Sequence, residues 1–374
     1  MRQLRLSKSC ITQEEKRAVM SVLDRGYLGM GPEVRDFEND LTSFFGRPAT
    51  CIVNGTAALH LALQGIGIKS GDEVLVQSLT YVASFQAITA AGGIPIACDF
   101  DPDTGCIDLI DARQRVSDKT KAIMPVHYAG GVGDLDELYK FAEEYDLRVI
   151  EDAAHAFGTE YKGSKVGSFG DIACFSFDGI KNITSGEGGC IVTDDPMVLE
   201  RIRDARQLGV EQDSERRFAG LRSWNPNVLD QGWRYHMSDI MAAIGRIQLK
   251  NFDHHRTKRQ SLAKEYSAIL AEESLVTLFN HDYEKVVPHI FVVILDPSVD
   301  RSKLMDILSK SGVPTGIHYK PNHLLSFFHR KGIRALPITE EYSSRLLTLP
   351  LHPELTRDDV RYITTELREH LRDA

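Results

Sequence analysis

The sequence predicts an α/β fold: a mainly parallel sheet first, then a smaller α/β unit. Three observations carry this. Between residues 50 and about 195, seven short runs rich in β-branched and apolar residues alternate with stretches of helical spacing. The last hundred or so residues lose that rhythm and mix a few extended pieces with helices. The length, 374 residues, exceeds what one hydrophobic core usually fills.

The elements follow in chain order. CIVN (51–54) leads into the helix-like TAALHLALQ (56–64), and EVLVQ (73–77) into YVASFQAITAA (81–91). IPIA (94–97), KAIMPV (121–126) and LRVIED (147–152) read as buried strands, with the helical DLDELYKFAEEY (134–145) between the last two. IACFSF (172–177) and GCIVT (189–193) complete the seven. Strands alternating with helices imply βαβ units, whose ligands sit at the carboxyl ends of the strands. Residues 196–208 and 238–272 read as helices, and 209–236, with both Trp residues, as an irregular excursion. PHIFVVIL (288–295) is a strand, SKLMDILSKSG (302–312) a helix stopped by Gly312, and VPTGIHY (313–319) a further extended piece. TRDDVRYITTELREHL (356–371) is a closing helix with Thr356 at its N-cap.

Composition excludes several classes. With 42% hydrophobic and 26% charged residues the chain is ordinary for a globular protein. A net charge of −9 argues against a general nucleic-acid binder, though not against a local phosphate site. The six cysteines form no Cys-x-x-Cys pair and sit mostly in apolar stretches, as buried residues of a reducing compartment do. The opening MRQLRLSKSC has no apolar core, and no run approaches the roughly 18 apolar residues of a membrane helix. The expectation is a cytoplasmic protein without membrane, nucleic acid or metal.

A Gly-x-Gly-x-x-Gly after a strand, a phosphate loop, a Gly-x-Ser-x-Gly and a His-Glu-x-x-His are all missing. Four strand-end features remain. Asn54-Gly55-Thr56-Ala57 turns a strand straight into a helix, whose first N–H groups make a phosphate cradle; it equally reads as a helix start capped by Thr56. Asp152 ends LRVIED and can pair with a protonated ring nitrogen, or cap a turn. Lys181 lies on a Gly-containing loop after a strand, as an amine that attacks an aldehyde requires, and as many solvated lysines do. Ser176, five residues earlier, can reach the phosphate that Thr56 reaches. The fourth feature is the glycine cluster 186–189, a close backbone approach or a turn. Together they make a kit for an aldehyde cofactor: a phosphate cradle, a carboxylate for the ring nitrogen and a lysine for the aldehyde.

NGTAALHLAL, EDAAHAFGTEYKG, FSFDGIKNITSGEGG and GWRYHMSDIMAAIG together resemble the DegT/StrS family of sugar aminotransferases, from about residue 8 to the C-terminal helix. VHYAG (126–130), EDAAHA (151–156) and HYKPNH (318–323) are similar to the branch that makes UDP-4-amino-4-deoxy-L-arabinose. The resemblance implies an aspartate-aminotransferase-type fold with a large domain at 1–250 and a small one at 251–374. It implies pyridoxal 5′-phosphate as cofactor and a homodimer with shared active sites. Lys181 would carry the cofactor's aldehyde and then shuttle a proton, and Asp152 would keep the pyridine nitrogen protonated. His155 would lie near the phenolic oxygen, and Tyr81 would stack on the ring. Gly55, Thr56, Ala57 and Ser176 would hold the phosphate. His236 falls where relatives carry an Asn or Arg that reaches the neighbouring subunit's phosphate. His318 and His323 match positions near the sugar.

The implied reaction moves the amino group of glutamate to a nucleotide-linked keto-sugar, with C-4 of a 4-keto-6-deoxyhexose, dTDP- or UDP-linked, the first expectation and C-3 the alternative. Surface-polysaccharide or lipopolysaccharide O-antigen synthesis is the pathway that follows. Dehydratases of the family replace the lysine by histidine, and Lys181 is retained here. Arg216, Arg217, Arg222, Arg234 and Lys320 are candidate cations for the diphosphate, or plain surface charge.

Overall fold

The computed structural model describes residues 4–211, 213–219, 221, 226–329 and 334–374, without the side chains of 214, 215 and 217. The large sheet is built from β1 (Ala49–Ile52), β2 (Glu73–Gln77), β3 (Ile94–Cys98), β4 (Thr120–Met124) and β5 (Arg148–Asp152). After a small hairpin of β6 (Glu160–Tyr161) and β7 (Ser164–Lys165), β8 (Ile172–Ser176) and β9 (Gly189–Thr193) complete it. The strand order is β1-β9-β8-β5-β4-β2-β3.

Strands β3, β2, β4, β5 and β8 are mutually parallel, so the mainly parallel α/β sheet expected from the alternation is what forms. β9 alone runs antiparallel to its neighbours β8 and β1. The reason is local: a parallel return needs a crossover, usually a helix, and residues 177–188 contain none. The chain therefore folds back, with Ser176 opposite Gly189, and carries Lys181 on the intervening loop. Since β1 is antiparallel to β9, its carboxyl end lies at the same sheet edge as those of β5 and β8.

The helix Gly55–Gly65 is buried nearly all round, as its sequence GTAALHLALQG requires. Its N-cap is Asn54, not Thr56: the Asn54 side chain accepts the Ala57 N–H at 2.8 Å. Two N-terminal helices, Gln13–Arg25 and Pro32–Phe45, lie in a stretch where the sequence reading placed no element. The first starts at a Thr12–Glu15 capping box, a signal present in the sequence. Asp239–Lys250 packs against both.

Past the long helix Phe252–Leu270, a second, three-stranded antiparallel sheet forms from β10 (Val276–Leu278), β11 (Phe291–Leu295) and β12 (Leu346–Leu349). Helices Arg301–Lys310 and Arg357–His370 share a core with it, including Leu304, Val293 and Ile363. Thr356 caps the last helix in a full capping box with Asp359. Residues 313–319 do not form the extended piece expected of them; Gly316 alone bridges to Thr348, and the rest loops towards the large sheet. A further apolar cluster, including Leu79, Phe100, Tyr128, Phe279 and Ile290, joins the two sheets beside the site. At that seam the left-handed Gly130 (φ 102°) lies so near Val287 that a Cβ would come within 2.7 Å of its carbonyl oxygen.

Candidate active site

A cavity of about 450 Å³ opens at the carboxyl edge of the large sheet. Each wall is set by where a strand ends. β1 ends into Asn54 and the helix N-terminus, where Gly55 and Thr56 line the cavity. The first internal helical bond runs from the Ala58 N–H to the Asn54 carbonyl, and Asn54 takes the Ala57 N–H. The N–H groups of Gly55 and Thr56 therefore precede the helix's own bonding pattern and suit an anion. Gly55 permits the close approach to β8, because a Cβ there would sit 2.8 Å from the Ser176 Cβ. The Thr56 and Ser176 hydroxyls complete a donor set that fits a phosphate.

β5 delivers Asp152, which is 5% exposed. Its Oδ2 accepts from the Ser84 hydroxyl at 2.7 Å and its Oδ1 from the Ala154 N–H at 3.3 Å. It is thus both a turn cap and a cavity wall. Burial raises its pKa, while Ser84, the Ala154 N–H and Lys181 pull the other way. A desolvated carboxylate of this kind pairs strongly with a protonated ring nitrogen.

Lys181 stands on the loop between β8 and β9, half-buried in the cavity wall. Loss of hydration lowers its pKa to about 8, against the raising effect of Asp152 and Asp178. A substantial neutral fraction near physiological pH is what an amine nucleophile needs. The Lys181 Nζ lies 3.3 Å from the Nε2 of His289.

Three histidines crowd this end of the cavity. His155 Nδ1 accepts the Ala129 N–H at 3.3 Å, so the neutral ring carries its proton on Nε2 and donates to the Tyr319 hydroxyl at 3.2 Å. The rings of His155 and His289 are 4.5 Å apart. Burial, then the nearby Lys181, push both imidazoles well below their usual range, and His318 down to about 4. All three are neutral at pH 7. His318 Nδ1 is held by the Thr348 hydroxyl at 2.8 Å, and its carbonyl accepts from the Tyr128 hydroxyl. Tyr81, 58% exposed, forms the outer lip, its ring 5.6 Å from that of Tyr319.

The structure thus brings Gly55, Thr56, Asp152, Ser176 and Lys181 to one cavity, with Tyr81, His155 and His318 around it. Three expected site residues do not line this cavity. Ala57 is buried, with its N–H spent on Asn54. His236 pairs its backbone with Ile52 and does not line this chain's own cavity, as suits a residue expected to reach a neighbouring subunit's phosphate. His323 is 2% exposed, its ring held between Ser78 (2.7 Å) and Glu340 (3.2 Å), so it braces a loop behind the wall. Among the candidate cations, Arg216, Arg234 and Lys320 do not line the cavity, while Arg222 and the Arg217 side chain lie outside the described residues. Sequence reasoning missed His289, Tyr319 and Ser84. His289 had a signal: a histidine at the very start of an apolar strand, after Pro288.

The model of the DegT/DnrJ/EryC1/StrS aminotransferase family matches residues 9–368. The chain belongs to this family. It is therefore a pyridoxal-phosphate-dependent aminotransferase with the aspartate-aminotransferase-like fold, a large mixed sheet followed by a smaller C-terminal domain. The uncharacterized protein MJ1066 of Methanocaldococcus jannaschii is 36% identical over 363 residues, 94% of each chain. Spr1654 of Streptococcus pneumoniae, assigned as a sugar aminotransferase, is 27% identical; its apo form superposes with a TM-score of 0.92 over 100% of this chain and 98% of its own. It has been solved with pyridoxal phosphate and with its aminated form, pyridoxamine phosphate, as well. DesI, solved in the presence of its TDP-sugar product, is 29% identical, with a TM-score of 0.88 over 99% of this chain and 94% of its own. The donor set described above, cradle, carboxylate and amine, fits this cofactor.

Proposed function

We propose that this family member transfers the amino group of glutamate to C-4 of a nucleotide-linked 4-keto-6-deoxyhexose, dTDP- or UDP-linked. The observation that carries the reading is one cavity lined by the half-buried Lys181, the buried Asp152 carboxylate and a phosphate cradle. The nucleotide-sugar assignment draws on DesI and its TDP-sugar product and on the family match. The C-4 position and the surface-polysaccharide pathway draw on the arabinose-branch segments, VHYAG, EDAAHA and HYKPNH.

The bound cofactor supplies an electron-withdrawing ring that stabilises negative charge at the carbon losing a proton. In this reading Gly55, Thr56 and Ser176 hold the phosphate, and Asp152 keeps the ring nitrogen protonated. Tyr81 and His155 orient the ring. Lys181 anchors the aldehyde and, once free, carries the proton to and from the reacting carbon through Nζ. His318 lines the sugar side, while His323 supports the loop that carries it. We assign residues 1–250 to a cofactor domain and 251–374 to a small domain. The outer lip at Tyr81, together with the position of His236, favours a homodimer that completes the site with a second copy. Among the described residues no helix is long and apolar enough to cross a membrane, and we place the protein in the cytoplasm.

The test is a near-visible absorbance spectrum of protein with added pyridoxal phosphate, before and after L-glutamate. The reading expects the long-wavelength band of the lysine-bound cofactor to give way to that of its aminated form. Adding 4-keto nucleotide sugars should restore the first band, and NMR should place the new amine at C-4. Restoration by 3-keto sugars alone would overturn the C-4 assignment, and indifference to glutamate would overturn the donor.

A further inference from the structure

We propose that His289 is a positioning residue for Lys181: its Nε2 accepts an N–H of the lysine amine whenever that amine is not bonded to the cofactor. The proposal rests on the reading above for the role of Lys181 alone. The contact itself joins two side chains of this chain, 3.3 Å apart at Nζ and Nε2.

Four features make it more than a chance approach. First, His289 is 3% exposed and, among the described residues, its Nδ1 has no hydrogen-bond partner and its ring bonds to Lys181 alone. Since the lysine donates, the ring must keep its proton on Nδ1 and present a lone pair at Nε2. Second, burial and the neighbouring Lys181 hold the imidazole well below its usual range, so the proton remains on lysine and His289 works as an acceptor rather than a base. Third, the backbones that carry both residues are bolted together. Arg259, 2% exposed on the long helix Phe252–Leu270, donates to the carbonyls of His289 (3.1 Å), Pro288 (3.4 Å) and Ile180 (3.4 Å). Asn182 donates to the Val287 carbonyl at 3.1 Å. The residues on either side of Lys181 are thus tied to the segment leading into β11. Fourth, the His155 ring, 4.5 Å away, packs against His289 and limits its rotation.

The contact returns a flexible side chain to the same place after each release. A free lysine amine otherwise samples several rotamers, and each catalytic cycle must repeat that search. Parked on His289, the amine stays beside the ring that it left. The charged and titratable groups that face it are Asp152 from β5, Asp178 from its own loop, Arg259 from the long helix, His155, and His318 from the 313–319 loop.

The experiment compares full-length wild type with His289→Leu and His289→Gln, the latter able to place an amide oxygen where Nε2 stands. In cofactor-free protein, competitive acetylation read by mass spectrometry on the Lys181 peptide gives the amine's titration midpoint, about 8 in wild type. Loss of an acceptor that favours the ammonium form should move the midpoint of His289→Leu to lower pH, and His289→Gln should move it back. With pyridoxal phosphate and an amino donor, kcat of His289→Leu should fall about tenfold or more with donor KM within about twofold, and His289→Gln should recover most of it. An unchanged midpoint in His289→Leu overturns the proposal. So does a His289→Gln variant that is folded by circular dichroism yet as impaired as His289→Leu, since ring packing would then be what matters. If no donor and acceptor pair turns over in wild type, the substrate reading fails by itself, and the acetylation profiles still decide the role of His289.

Discussion

Glu151 and Asp152 are consecutive residues of β5, both carboxylates and both almost inaccessible to solvent, at 0% and 5% exposure. Because side chains alternate along a strand, they face opposite sides of the sheet. Glu151 is closed on every side available to it: His127 Nε2 stands 2.6 Å from one oxygen, and the Tyr139 hydroxyl donates to the other at 2.6 Å. Tyr139 comes from the helix Leu135–Glu144, which covers that face. Among the described residues Asp152 accepts from the Ser84 hydroxyl, on the helix Val82–Ala90, and from the N–H of its own turn, and it lines the cavity. The contrast separates two uses of a buried charge. A carboxylate satisfied by the fold contributes to stability; one left partly open in a cavity is ready for a ligand.

Substitutions on the two faces should therefore fail in different ways. The largest effect belongs to Asp152→Asn, which keeps shape and removes charge. It should lower kcat about a hundredfold or more, with little change in melting temperature. It should also move the Lys181 midpoint below about 8, because the Asp152 carboxylate raises that value. A kcat within threefold of wild type would erase the distinction between the faces. Glu151→Gln should do the reverse. It weakens two charge-assisted hydrogen bonds and should cost about 1.5–3 kcal/mol by denaturant unfolding, with kcat nearly intact in the folded enzyme. Smaller effects follow from the neighbours. Ser84→Ala leaves Asp152 one donor short and should reduce kcat several-fold, with a weaker hold on the cofactor by dialysis. Tyr139→Phe removes one donor from Glu151 and should cost about 1 kcal/mol in stability, visible in unfolding and absent from kcat.

The large-sheet half of the site was legible because strand ends are where a parallel sheet exposes its chemistry. Gly55 follows directly on an apolar run, Asp152 and Ser176 end their strands, and Lys181 stands on the loop after one, so locating the run locates the residue. The reversed direction of β9 has its signal in the helix-free connection 177–188. The other half was not legible in the same way. His289, His318 and Tyr319 enter the cavity from the segment before β11 and the loop before β12, and their distance from Lys181 is set by packing between two sheets. Nothing in a local pattern measures that packing. His323 shows the cost: beside His318 in sequence terms, its ring is nonetheless consumed by Ser78 and Glu340. Asn54 took the cap expected of Thr56 because the helix starts at Gly55, two residues before its apolar pattern opens at Ala57.

Borohydride reduction of the protein loaded with pyridoxal phosphate, followed by mass spectrometry of its peptides, tests the role of Lys181 directly. A single reduced adduct is expected on the peptide carrying Lys181, lost in Lys181→Ala together with essentially all turnover. An adduct on another lysine, or none on a protein that still transfers amino groups, would contradict it.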